Sequence, residues 1–65
     1  MEGWLSTIGL SAYVEAIKDY GYTQISMLLD ASEADIKEMV EDSDVGMKKP
    51  ARKTMLVQWG KLKLG

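Results

Sequence analysis

Four pieces of punctuation govern what this chain can fold into: Gly9, Gly21, the stretch Ser32-Glu33-Ala34-Asp35, and Pro50. Each marks a place where a helix stops or starts. Glycine tolerates the backbone of a helix exit, serine with a following acid satisfies free N–H groups at an entry, and proline fits the first turn. Between these marks apolar residues recur at helical spacing. Trp4, Leu5 and Ile8 predict an opening helix of about two turns, which Gly9 ends. Ser11 is expected to cap a second helix, with Tyr13, Val14 and Ile17 on its apolar face up to Gly21. Thr23 is expected to cap a third, with Ile25, Leu28 and Leu29 as its buried stripe. The fourth starts at Ser32, with Asp35 in the place a capping box usually gives to glutamate, and turns Ile36, Met39 and Val40 inward. Glu41-Asp42-Ser43-Asp44 then breaks the pattern, and Val45-Gly46-Met47 returns briefly to apolar contact. The last helix starts near Lys48 or Lys49 with Pro50 in its first turn. It keeps Ala51, Met55, Trp59 and Leu62 on one face, with Leu56 at the edge, and runs on through Gly60.

No alternation of β-branched and aromatic residues is sustained, and no Asn-Gly or Asp-Gly hairpin signal occurs, so the predicted class is all-α. Helices under ~12 residues are marginal alone in water, so the short ones must fold together around Trp4, Trp59 and the aliphatic residues. The expected architecture is one domain over residues 1–65, a compact five-helix bundle of four short helices and a longer C-terminal one. A chain of 65 residues buries only about 60% of the surface its unfolded form exposes. Little apolar surface is left over to line a deep cleft.

That shortage matters because the chain contains no cysteine and no histidine. The usual general bases, thiolate nucleophiles and transition-metal ligands are all missing, and no catalytic residue, cofactor or small-molecule substrate is expected. Asp42-Ser43-Asp44 resembles the start of a calcium loop, but the remaining positions and the closing glutamate are lacking. No apolar run exceeds three residues, so neither a membrane span nor a secretory signal is expected, and the expected location is inside the cell, in cytoplasm or nucleus.

Charge is distributed in order along the chain. Residues 1–47 hold all ten acidic groups against Lys18 and Lys37, a net of −8, while residues 48–65 carry six basic groups and no acid. Lys48, Lys49, Arg52 and Lys53 fall within six positions. Two readings follow. Either the blocks neutralise one another inside the monomer as solvated helix faces, or they form two surfaces that each recognise an opposite surface elsewhere.

The order of these signals resembles the sterile alpha motif (SAM) domain. The resemblance is carried by Trp4-Leu5, Ile8-Gly9-Leu10, Tyr13, Ile17, Gly21-Tyr22, Ile25, Leu28-Leu29 and Glu33 to Met39. Val45-Gly46-Met47 is similar to the family's Leu-Gly-Ile-type step, and Pro50-Ala51-Arg52-Lys53-Thr54-Met55-Leu56 to its Gly-His-Arg-Lys-Lys-Ile-Leu opening of the last helix. Two features depart from the family pattern. Glu41 to Asp44 looks like a small insertion, and Pro50-Ala51 replaces Gly-His.

The resemblance implies a protein-interaction module, most simply one that associates head to tail. An acidic mid-loop surface would comprise Asp30, Glu33, Asp35 and Glu38, with Tyr22, Gln24 and Met27 as contact residues. A basic end-helix surface would comprise Lys48, Lys49, Arg52 and Lys53, with Met47 as an apolar anchor; for Met27 and Met47 the competing and commoner place is the core, which methionine often fills. Unlike surfaces that fit each other propagate into a polymer unless the rotation closes a ring. The alternatives are association with another SAM domain or partner protein, and RNA-hairpin binding through the same basic helix start. Against RNA stand a sequence pI near 4.9 and seven acids between Asp30 and Asp44, which repel a polyanion.

Overall fold

A computed structural model describes all 65 residues. Helix α1 (Glu2–Thr7) leads through Gly9 to a single 3-10 turn, Ser11–Tyr13, which runs directly into α2 (Val14–Tyr20). Helices α3 (Ile25–Asp30), α4 (Glu33–Glu41) and α5 (Lys49–Leu64) complete the chain, with no strand. The expected bundle of four short helices and one longer terminal helix is what forms. Its Cα radius of gyration is 10.4 Å, close to the ~10.7 Å of a compact chain this long.

Two expected caps are absent. Ser11 lies inside the 3-10 turn, which is closed by Tyr13 N–H donating to the Leu10 carbonyl at 3.0 Å, and Tyr13 rather than Ser11 precedes α2. Thr23 does not cap α3 either. The extended residue before that helix is Gln24, and the Thr23 hydroxyl points instead at the Met27 sulfur, 3.4 Å away. The capping box of α4 forms as predicted. Ser32 Oγ accepts from Asp35 N–H, and Asp35 Oδ2 accepts from Ser32 N–H, both at 3.2 Å.

Thirteen residues are buried, all of them apolar: Leu5, Leu10, Val14, Ile17, Leu28, Ala31, Ile36, Met39, Val40, Val45, Met47, Met55 and Trp59. Trp4, Tyr13 and Leu56 pack partly buried against them. Leu29 was expected in this set but is exposed. A helix of six residues has too few turns to bury a stripe, so α3 seats Leu28 fully and leaves Ile25 half-buried. Ala31, just past its end, takes the remaining place.

Gly21 ends α2 at φ 133°, where its N–H donates to the carbonyls of Ile17 and Lys18. A Cβ there would meet open space, so any penalty is conformational rather than steric crowding. Gly21→Ala is expected to cost about 1–2 kcal/mol. A urea midpoint unchanged from the parent would contradict this.

Candidate interaction surfaces

The turn at Gly21 brings two aromatic rings together. Tyr20, at the end of α2, stacks on Tyr22 with centroids 5.9 Å apart and ring planes 19° apart. Carboxylates from α4 and its exit act on the pair through their charge. Burial and then the charges of Glu38, Asp42 and Asp35 push the Tyr20 phenol above its usual value of 10.0. Tyr22 is raised by burial, then by Asp35, Tyr20 and Glu38. Tyr20, Tyr22, Asp35, Glu38 and Asp42 therefore share one negative field. Beside it, Ala16, Asp19, Tyr20, Asp42 and Asp44 line an open groove.

These shifts set a pH dependence. A phenol whose pKa is higher in the folded than in the unfolded state contributes stability that is fully present below the unfolded value near 10.0 and is lost as pH rises through the folded one. Glu38 acts on both rings, so Glu38→Gln is expected to lower both tyrosine midpoints in an ultraviolet titration. Unchanged midpoints would contradict the shared field.

The other expected mid-loop residues lie nearby in the chain. Gln24, just before α3, is exposed, as are Met27 and Asp30 on it, with Met27 at 40%. They share no side-chain hydrogen bond with the tyrosine cluster. Glu33 pairs with Lys37 at 3.5 Å, one helical turn on, and Asp35 is engaged in the capping box. Asp30 and Glu38 hold no ion-pair partner.

The basic surface is built on the start of α5. Lys48 sits in extended backbone before the helix, no side chain caps it, and Pro50 lies in the first turn. Cations at a helix start oppose its dipole, which favours negative charge there. Lys48, Lys49 and Lys53 are exposed, and Arg52 is half-buried with its Nε shielded from solvent and unpartnered. A shallow groove beside them is lined by Ile8, Gly9, Leu10, Tyr13, Lys48, Pro50, Ala51 and Thr54. Met47, expected as an apolar anchor on this surface, is instead a core residue at 2% exposure. Gly46 at φ 68° turns the chain so that Val45 and Met47 both face inward.

The ion pairs bear on the charge order along the chain. Only two form, Lys18 with Glu2 and Lys37 with Glu33. The first lowers the pKa of Glu2 and raises that of Lys18. Neither joins the acids of residues 30–44 to Lys48, Lys49, Arg52 or Lys53.

Of this geometry, Tyr20, Asp19 and Asp42 were not anticipated as candidate residues. Tyr20 and Tyr22 flank a helix-ending glycine, and that spacing was the available signal; the approach of Asp42 to Tyr20 depends on where the chain after α4 comes to lie beside α2 and has no local signature. No three carboxylates are arranged to hold a metal ion, and no helix is long and apolar enough to cross a membrane.

No curated protein and no solved structure matches this chain. The sterile alpha motif domain model of the SAM_2 family matches residues 1–52. That stretch covers α1 to α4 and the start of α5, and so includes the acidic surface and all of the basic one but Lys53. With most of its length matched, the chain belongs to the sterile alpha motif family of protein-interaction modules.

Proposed function

We propose that this domain self-associates head to tail, the basic start of α5 on one copy docking against the acidic, tyrosine-bearing surface of the next. The reading is one of binding without catalysis. The observation that carries it is the absence of any ion pair between the two charge blocks. Arg52 adds support, because its shielded Nε lacks an acceptor that an incoming carboxylate would supply. Steering between such surfaces is long-ranged at low salt and weakens as the screening length falls to ~8 Å near physiological ionic strength.

Sedimentation across protein concentration, at low and moderate salt, tests the proposal. Mass should grow with concentration and fall with salt, without a fixed end state. A chain that stays monomeric at millimolar concentration and low salt would exclude self-association and leave a different SAM domain or partner protein as the binding target. Titrating a labelled RNA hairpin at two salt concentrations separates the nucleic-acid alternative, which requires salt-dependent saturation.

A further inference from the structure

Helix α5 reaches back to the corner between α3 and α4 with two side chains. Trp59 Nε1 donates to the Leu28 carbonyl at 2.7 Å, and Lys63 Nζ donates to the Ala31 carbonyl at 3.2 Å. The Lys63 ammonium also lies 4.8 Å from the centre of the Trp59 ring. Both acceptors sit where α3 ends, and carbonyls at a helix end have no partner further along their own helix. The only backbone donor there is Ala31 N–H, which reaches Leu28 O at 3.3 Å. At Ala31 the chain turns to extended backbone before Ser32 opens α4. The corner is thus held by residues from the far end of the chain, beyond the stretch that matches the family at residue 52.

The same corner divides the residues of the acidic surface. Met27 and Asp30 lie before it on α3, and Glu33, Asp35 and Glu38 lie after it on α4. We infer that Lys63 and Trp59 are positioning residues for the acidic association surface, setting the angle at which α3 meets α4 and hence the spacing of the groups a basic partner must touch. The inference rests on the head-to-tail reading. Lys63 makes it testable because its charge and its position act in opposite directions. As a cation beside an acidic surface it opposes the attraction of a basic partner, so loss of charge alone would tighten docking. As a clamp it favours docking, so its loss would weaken it.

The test uses two parents that form a single contact. One carries Lys49→Glu and Arg52→Glu and keeps its acidic surface; the other carries Glu38→Lys and keeps its basic surface. Lys63→Met, which retains the alkyl chain over Trp59, and Lys63→Arg, which retains a donor, are placed in the first. Lys63→Met is expected to weaken the pair about threefold to tenfold, and Lys63→Arg to recover most of the loss. Amide exchange in the unbound chain should speed up at Ala31 to Glu33 with Lys63→Met and stay unchanged at the start of α5. Unchanged or tighter association with Lys63→Met would overturn the inference while leaving the head-to-tail reading intact. Parents that fail to associate at all would overturn that reading, and the positioning role with it.

Discussion

Trp59→Ala is expected to remove much of the domain's stability. Trp59 is 6% exposed, packs within the core and donates the buried hydrogen bond that holds the end of α3. Truncating a buried tryptophan to alanine typically costs about 3–5 kcal/mol. A domain of 65 residues has a total stability of only roughly 3–10 kcal/mol. The loss therefore consumes much or all of the margin. Trp59→Phe keeps most of the ring volume but removes the indole donor, and should cost about 1–3 kcal/mol while the transition stays cooperative. Circular dichroism during urea unfolding reads both. A Trp59→Ala chain within ~1 kcal/mol of the parent would show that the second half of α5 is dispensable to the core.

Reversing charge on one surface at a time is expected to stop assembly. Lys49→Glu with Arg52→Glu destroys the basic surface, and Glu38→Lys reverses the acidic one beside the two tyrosines. Asp35→Lys should act in the same direction, but Asp35 also belongs to the capping box of α4, whose loss typically costs ~0.5–2 kcal/mol of stability. Glu38 holds no such structural contact, so its reversal is the cleaner probe. Each reversed chain retains one good surface and one bad one. Alone each should sediment as a monomer, with association weakened at least tenfold; mixed, they should form a one-to-one pair and go no further. Parent-like assembly by either variant alone would rule out the proposed contact.

Most of the fold was legible because its signals are local. Gly21, the Ser32–Asp35 box and Pro50 each act through their own backbone, and α2, α4 and α5 begin or end beside them. The misread positions were of another kind. Ser11 and Thr23 have capping chemistry, yet the chain before α2 tightens into a 3-10 turn and the Thr23 hydroxyl turns to Met27. Leu29 was assigned to the wrong side, and Met27 and Met47, for both of which the core was favoured, ended on opposite sides, because an apolar residue near a helix end suits core or surface until packing decides. The charged surfaces were visible as order along the chain. What no local pattern conveyed was the meeting of Tyr20, Glu38 and Asp42, or the reach of Lys63 across 32 positions to Ala31, since both depend on how helices pack in space.

The core contains no charged side chain, and its one polar side-chain group, the Trp59 indole N–H, is bonded to the Leu28 carbonyl. None of the eight basic or ten acidic residues is in the buried set. Evolution can therefore re-address this domain to a new partner by exchanging surface charges, with no buried ion pair to be rebuilt in step. Melting temperature and partner choice become largely separable traits, and Asp35, which serves both the α4 capping box and the acidic surface, marks where they stay coupled.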